Sequence, residues 1–119
     1  MSEFCFKQVV KLKKNGEFRR AYSRGKSFVD PALVTYITKN RAGICRIGIT
    51  ATKKIGNAVK RNRAKRVITA AYRSMFRQLC EGGYDIVFVA RGKTPYLKST
   101  EIESIMRRHL EKAGLLNSN

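Results

Sequence analysis

The chain has 119 residues, 43% of them hydrophobic, which is enough for one folded domain with a modest core and argues against intrinsic disorder. Its 26 Lys and Arg against 8 Asp and Glu give a formal net charge of +18, which is typical of proteins that bind phosphate backbones. No run of 18 apolar residues exists, and the N-terminus lacks the charged-then-apolar order of a signal peptide, so we expect a cytoplasmic protein. An anionic membrane is the competing partner, but it would need a basic amphipathic helix with a strongly apolar opposite face.

The N-terminal part of the chain predicts an extended segment followed by one short helix. We expect residues 1–11 to be extended, and Asn15 to cap a helix from Gly16 to Arg24 that ends at Gly25. On this helix Phe18 and Tyr22 are four residues apart and therefore share one face.

Two alternating strands come next. The first runs from Leu33 to Lys39, with Leu33, Thr35 and Ile37 on one side and Val34, Tyr36 and Thr38 on the other. A turn over Asn40–Gly43 predicts a hairpin to a strand from Cys45 to Thr52, whose apolar side carries Cys45, Ile47, Ile49 and Ala51. The sheet thus has an apolar face and a mixed face, the latter carrying Tyr36 and Arg46, and nothing in the sequence obviously covers the mixed face.

The second half of the chain predicts two helices around a buried strand. A basic loop, Lys53–Asn57, precedes a long helix from Ala58 to Cys80, whose second half carries a wide apolar stripe including Tyr72 and Phe76. Residues 84–90 are nearly all apolar, which favours a central strand containing Phe88. A last helix spans Ser99 to Ala113. We interpret residues 1–119 as a single α+β domain with a flexible tail at 114–119.

Few residues of the chain point to catalysis. The lone histidine, His109, lies on the last helix without a partner motif, and the stretch from Pro31 to Cys80 has no acidic residue although it has twelve Lys and Arg. Three cysteines form no CxxC pair, so we interpret Cys5, Cys45 and Cys80 as free thiols, the last two as small core residues. We therefore predict no catalytic and no metal-binding residues and expect a binding protein.

The most informative segment is the start of the long helix with the loop before it, KKIGNAVKRNRAKR, residues 53–66. Its cations cover much of the first two turns, and no acidic residue is interleaved to form i,i+4 pairs, which favours nucleic-acid contact over a solvated face. Arginine binds phosphate in a bidentate manner. Asn57, next to Gly56, can cap the helix and leave backbone N–H groups for a phosphate.

This segment, with its Arg61-Asn62-Arg63 triplet, resembles the signature of the bacterial ribonuclease P protein component family. LKKNGEFRRAYSRGKS, residues 12–27, and YDIVFVARG, residues 84–92, resemble the family's N-terminal helix and last strand. The resemblance implies a ribosomal protein S5 domain 2-like fold: a single-domain sandwich of a four-stranded sheet and three helices, with a left-handed βαβ crossover and an extra strand near Ser27–Val29. That handedness departs from the usual rule.

The resemblance also implies function and site residues. The enzyme is an endoribonuclease that removes the 5′ leader of precursor tRNA; its RNA subunit carries the catalytic centre and Mg²⁺, and the protein binds that RNA and the leader. The implied catalytic-RNA contacts are Lys53, Lys54, Asn57, Arg61, Asn62, Arg63, Lys65 and Arg66. The implied leader cleft lies between the first helix and the sheet, at Lys14, Phe18, Tyr22, Val34 and Tyr36, and we add Arg46 for its charge.

Some interpretations stay open at this point. Many family members have Arg where this chain has Thr69, so one RNA contact is absent or moved to Arg73. Phe18 and Tyr22 fit either a leader site or a core. The partners we expect are the catalytic RNA and precursor tRNA, with no membrane and no obligate protein partner. A ribosomal-type structural RNA-binding protein is the main alternative; a self-sufficient nuclease is opposed by the scarcity of carboxylates and histidines.

Overall fold

The structure is a computed structural model, and it describes residues 10–79 and 82–116. Within these residues five strands and three helices follow one another along the chain: β1 (Val10–Lys11), α1 (Asn15–Arg24), β2 (Lys26–Asp30), β3 (Leu33–Lys39), β4 (Arg46–Thr50), α2 (Ala58–Met75), β5 (Tyr84–Ala90) and α3 (Ser99–Lys112). Three short 3-10 turns lie at Lys53–Ile55, Phe76–Gln78 and Thr94–Tyr96. The four longer strands and three helices confirm the predicted fold class, and β2 confirms the strand expected near Ser27–Val29.

The sheet has the order β1-β4-β5-β3-β2. The predicted hairpin at Asn40–Gly43 is wrong, because β3 and β4 do not pair: β5 lies between them, antiparallel to β3 and parallel to β4. Five of the seven residues of β5 are buried, so this strand belongs at the centre, as its apolar run predicted. Parallel pairing of β4 with β5 through α2 makes a βαβ unit. The two-residue β1, which was not predicted as a strand, extends the sheet beside β4.

The main core lies between the sheet and the two longer helices. The predicted alternation is confirmed: Leu33 and Ile37 of β3 and Ile47 of β4 pack there against α2 and α3. The helices contribute their apolar stripes, with Ile68 and Met75 from α2 and Ile102, Met106 and Leu110 from α3, all at most 1% exposed. Each such side chain contributes about 1.5–3 kcal/mol on burial.

The mixed face of the sheet is covered by α1. Ala21 of this helix is fully buried and forms a small cluster with Leu12 and Val87, around which Phe18, Tyr36 and Val89 pack. Gly48 on β4 makes this approach possible, because a β-carbon there would collide with the Phe18 ring. The helix α1 therefore sits close to the sheet, and its aromatic side chains lie at the contact.

The helix ends are set by specific contacts. The predicted Asn15 cap of α1 is wrong: Lys14 is the N-cap, because the Glu17 carboxylate accepts the backbone N–H groups of Lys13 and Lys14. α1 ends at Gly25 as predicted, and only glycine fits this position, because a β-carbon there would collide with the carbonyl oxygens of Ala21 and Ile37. The predicted end of α2 at Cys80 is also wrong, because α2 stops at Met75 and continues as a 3-10 turn.

The C-terminal end of the chain differs from expectation where it is described. Leu115 is 3% exposed and packs in the core, and Leu116 bridges to Leu79, so the predicted flexible tail does not begin at residue 114. Residues 117–119, Cys5, Cys80 and most of the predicted extended segment at 1–11 lie outside the described residues. Cys45 is a free thiol that packs against the main core, as predicted.

Candidate nucleic-acid interface

A cationic surface covers the N-terminal half of α2 and the turn before it. We call it the basic-helix surface and define it by Lys53, Lys54, Asn57, Arg61, Asn62, Arg63, Lys65 and Arg66. All are exposed except Arg61, which is half-buried. Among the residues that the structure describes, none of these cations is within ion-pair distance of a carboxylate. The surface therefore carries uncompensated positive charge, as its sequence predicted.

Two arginines of this surface also make hydrogen bonds to the protein's own backbone. Arg61 donates from Nη1 to the Gly56 carbonyl at 2.9 Å, and Arg63 donates from Nε to the Pro95 carbonyl. A guanidinium has five N–H donors, so each keeps several for a phosphate. Arg61 and Arg63 are thus partly structural, whereas the side chains of Lys65 and Arg66 make no such bond to any residue that the structure describes.

The start of α2 adds to the positive potential. Asn57 is the N-cap, as predicted, and its Oδ1 accepts the Lys60 backbone N–H at 3.0 Å. The first turn contains no acidic residue, so the positive pole of the helix is not offset there. One turn beyond the basic segment, Thr69 donates its hydroxyl to the Lys65 carbonyl at 2.7 Å, while Arg73 is exposed.

A second surface, the aromatic groove, lies between α1 and β4. It has a volume of about 520 Å³ and is lined by Asn15, Phe18, Arg19, Tyr22, Ile49 and Thr50. Tyr22 is 39% exposed; its hydroxyl lies 2.7 Å from Thr50 Oγ1, and its ring meets the half-buried Tyr36 ring edge-on at 5.0 Å. Phe18, Tyr22 and Tyr36 are therefore both packed and accessible, which is how aromatic side chains that stack on single-stranded bases are usually presented.

Of the predicted leader residues, the structure places Phe18 and Tyr22 in the lining of this groove and Tyr36 against the Tyr22 ring; it does not place Val34, Lys14 or Arg46 in the lining. Val34 is 7% exposed and paired with Val89 in the sheet. Lys14 is exposed at the start of α1. Arg46 lies in an ion-pair network with Glu17 and Asp85. Arg19 of the groove was not predicted from the sequence, although its position next to Phe18 on α1 is a signal that could have found it.

A larger basic groove on the other flank of α1 was also missed. It has a volume of about 860 Å³ and is lined by Gly16, Arg19, Arg20, Ser23, Arg24, Lys39, Asn40, Arg41, Ala42 and Arg46. Among the described residues, only Arg46 of its six cations forms an ion pair. The cluster of arginines on α1 is visible in the sequence, but its pairing with the loop after β3 depends on the fold.

The titratable groups in the core are structural. His109 is 5% exposed, its Nδ1 lies 2.8 Å from Thr35 Oγ1, and its ring stacks on Phe28. Burial lowers its pKa, which keeps the ring neutral. Burial raises the pKa of the Cys45 thiol to about 11, so it does not form a reactive thiolate at neutral pH.

The described residues contain no group of three or more His, Cys, Asp and Glu side chains that could hold a metal ion. Asp85, the one fully buried carboxylate among them, has both oxygens occupied by Arg46 and Asn40. In the same part of the chain no helix is long and apolar enough to span a membrane. The two surfaces and the basic groove are suited to binding nucleic acid.

Sequence comparison identifies relatives over nearly the whole chain. The ribonuclease P family model matches residues 6–114. The ribonuclease P protein component of Clostridioides difficile strain 630 is 46% identical over 110 residues, which cover 92% of this chain and 96% of that protein. The corresponding protein of Clostridium botulinum strain Langeland is 45% identical over 107 residues, covering 90% of this chain and 96% of the relative.

Solved structures show the same architecture. The RNase P protein of Staphylococcus aureus, solved at 2.0 Å, superposes with a TM-score of 0.78 at 30% identity, covering 92% of this chain and all of that one. The RNase P protein of Thermotoga maritima has a TM-score of 0.74 at 24% identity over 86% of this chain, a likeness of fold.

Proposed function

We propose, from the premise that this chain belongs to the ribonuclease P protein family, that its two RNA-binding surfaces serve two different RNAs. The chain is the protein subunit of ribonuclease P and acts in the processing of tRNA 5′ ends. Its partner is the RNA of that enzyme, and the catalytic RNA is not part of this chain. The alternative of a ribosomal-type structural protein finds no support among these relatives.

The basic-helix surface is proposed to bind the catalytic RNA. The observation that carries this assignment is a set of exposed cations, without a carboxylate partner among the described residues, at the positive end of α2. Release of condensed counterions from a structured RNA favours binding at such a surface, and arginine forks match phosphate oxygens. The residues proposed to make the contact are those that define the surface.

The aromatic groove is proposed to bind the single-stranded 5′ leader of precursor tRNA. Phe18 and Tyr22 in the groove, with Tyr36 against the Tyr22 ring, provide ring faces and edges. Arg19 in the groove and the exposed Lys14, which lies outside it at the start of α1, provide charge for the leader backbone. Arg46 supports the site from within, because it links α1 to the sheet through Glu17 and Asp85. Val34 is buried in β3, where its proposed part is to support the strand that carries Tyr36. A tRNA without a leader would leave this groove empty.

The two surfaces meet where β4 ends. Thr50 lines the aromatic groove, and Lys53 of the basic-helix surface follows three residues later, so their α-carbons are at most about 10 Å apart. At the same time α1 and α2 pack on opposite faces of the sheet. Both RNAs could therefore be bound together, and the leader would lie next to the catalytic RNA, which favours correct positioning of the scissile bond over a non-productive pose.

The proposal places Mg²⁺ on the RNA rather than on this protein. The described residues contain no cluster of carboxylates suited to the ion, and Asp85 and Glu17 are already bonded to Arg46, Asn40 and backbone N–H groups. The protein's part is to bind and orient. Because it serves tRNA maturation, we place it in the cytoplasm.

A reconstitution experiment tests this function. The protein with Mg²⁺ should not cleave precursor tRNA, and addition of the catalytic RNA should produce cleavage at the mature 5′ end. The control is the catalytic RNA alone at the same Mg²⁺ concentration, which should cleave less efficiently than the assembled enzyme. Cleavage by RNA-free protein, or no effect of the protein on the RNA's activity, would overturn the proposal.

A further inference from the structure

We infer that Tyr96 is a base-stacking site that extends the basic-helix surface and binds an unpaired base of the catalytic RNA; this inference rests on the proposed function of that surface. Tyr96 is 66% exposed although it is a large aromatic side chain. It lies in the turn before α3, on the same side of the sheet as α2. No sequence motif singles it out.

The turn that carries Tyr96 is fixed to the body of the protein. Thr94 is fully buried; its hydroxyl donates to the Ala32 carbonyl at 2.7 Å and accepts the Arg91 backbone N–H at 2.8 Å. Pro95 is buried, and its carbonyl accepts from Arg63 of α2. The ring of Tyr96 is thus presented from a rigid support, so little conformational entropy would be lost when a base stacks on it.

The surroundings of Tyr96 are cationic. The Lys60 ammonium lies 5.5 Å from the centre of the Tyr96 ring, a cation–π contact that fixes the ring against α2. A shallow hollow of about 350 Å³ next to the turn is lined by Arg63, Arg66 and Lys98 with Val67, Ala70, Leu97 and Ser99. A base on the exposed face of the ring would place its phosphates within reach of these cations.

The position favours RNA over a protein partner. An exposed aromatic ring in contact with Lys60, on a turn next to a hollow lined by Arg63, Arg66 and Lys98, is typical of nucleic-acid grooves, where stacking and phosphate contacts act together. A protein partner would have to match four cations with carboxylates around one ring. The turn that carries Tyr96 also contacts the basic-helix surface directly, because Arg63 of that surface donates a hydrogen bond to the carbonyl of Pro95, the residue before Tyr96.

The test uses the absence of tryptophan from the chain. In the full-length Tyr96→Trp variant the new indole is the only one, and its fluorescence should be quenched when the folded catalytic RNA is added. The matched control is Val29→Trp, which places an indole at a 68% exposed position on the edge strand β2, outside the basic-helix surface; its fluorescence should not change. Binding of both variants is measured independently by a mobility shift.

Affinity provides the second readout. Tyr96→Ala should weaken binding of the catalytic RNA about five- to a hundredfold, as expected when one stacked base is removed, whereas Tyr96→Phe should bind like the wild type. A purely structural role for the contact with Lys60 would instead lower the melting temperature of Tyr96→Ala and leave RNA affinity unchanged well below that temperature.

The outcomes separate this inference from the proposed function. Quenching at position 96 together with weakened binding of Tyr96→Ala supports the stacking site. Unchanged affinity of Tyr96→Ala, or a complex formed without quenching at position 96, overturns the stacking site while the basic-helix surface stands. A wild-type protein that does not bind the catalytic RNA overturns both.

Discussion

Arg46 on β4 and Asp85 on β5 lie opposite each other in register, and the Arg46 guanidinium donates to both Asp85 carboxylate oxygens, at 2.9 and 3.0 Å. Asp85 is fully buried and also accepts from Asn40 at 2.6 Å. The remaining arm of Arg46 donates to Glu17 on α1 at 3.0 Å. One arginine therefore links the first helix to the centre of the sheet, and the hydrogen bond with Asp85 raises its pKa.

The first prediction concerns this link. Arg46→Ala leaves Asp85 buried without its charge partner, which should destabilise the fold by about 3–5 kcal/mol, as is typical when one member of a buried pair is removed. The double variant Arg46→Leu with Asp85→Asn should recover part of that stability. Urea unfolding measures both. If Arg46 served only to bind the leader, Arg46→Ala would keep a stability close to wild type and weaken only precursor tRNA binding.

The second prediction concerns the basic-helix surface. Arg61 and Arg63 donate hydrogen bonds to backbone carbonyls, so their removal would also affect stability. The double variant Lys65→Ala with Arg66→Ala tests RNA binding without that effect. This variant should fold normally and bind the catalytic RNA more weakly. The slope of log affinity against log salt should become shallower by about 0.7 to 0.9 for each phosphate that the variant no longer neutralises.

The matched control for that variant removes the same charge elsewhere. Lys26→Ala with Lys112→Ala changes two exposed cations on β2 and α3. Its salt slope should stay near wild type. Equal slopes for the two double variants would show that the protein attracts RNA through net charge and not through α2.

Much of the fold was predictable from local pattern. The bounds of β3 and β5 matched their alternation and apolar run, and the Asn57 cap marked the start of α2. The basic segment was visible because its charges are contiguous along the chain. Local pattern works in these cases because each signal depends on neighbours within one helix turn or strand.

The errors arose where the answer depends on distant pairing. The loop at residues 40–43 has the residues of a hairpin, yet β5, more than 40 residues later, takes the place between β3 and β4. The ion pair of Arg46 with Asp85 is likewise not visible in the sequence, because the two residues come together only once β4 and β5 are paired. Tyr96 lay in a predicted loop, and its closeness to Lys60 required the packing of the turn against α2.

The third prediction concerns pH. Burial lowers the pKa of His109, with Asp30 opposing and Arg108 and Lys112 adding to the effect. Protonation of His109 therefore favours the unfolded chain. The contribution of the neutral ring to the free energy of unfolding is fully present above the histidine pKa of the unfolded chain, about 6.5, and is lost as the pH falls below it. Because His109 is the only histidine, the urea concentration at the unfolding midpoint should decrease as the pH is lowered from 7.5 to 5.5.

The carboxylates affect stability in a lower pH range than His109. The pKa values of Glu17 and Glu103 are lowered from 4.5, chiefly by hydrogen bonds from the Lys14 backbone and the Ser74 hydroxyl, so their contribution is lost only below about pH 4.5. A His109→Gln variant should therefore have a flatter profile between pH 7.5 and 5.5. Wild-type midpoints that do not change over this range would contradict the assignment of His109 as a buried neutral group.

The fourth prediction tests the aromatic groove through Tyr36. Its ring is half-buried and meets Tyr22 at 5.0 Å, so it could serve packing, leader binding or both. Removing a stacking partner from a base costs about 1–3 kcal/mol, or roughly five- to a hundredfold in affinity. In the assembled enzyme, Tyr36→Ala should weaken the binding of precursor tRNA by that factor. It should leave the binding of mature tRNA, which lacks a leader, nearly unaffected. Tyr36→Phe should behave like the wild type.

The control for this prediction is Tyr84→Ala, because Tyr84 is another half-buried tyrosine of the sheet but packs against the main core. It should lower the melting temperature without changing the ratio of precursor to mature tRNA affinity. That ratio, measured for folded enzyme well below the melting temperature of each variant, separates packing from leader binding. If Tyr36→Ala leaves the ratio unchanged, as Tyr84→Ala should, Tyr36 is a packing residue and the leader is bound elsewhere, with the basic groove beside Arg20 and Arg24 as the next surface to test.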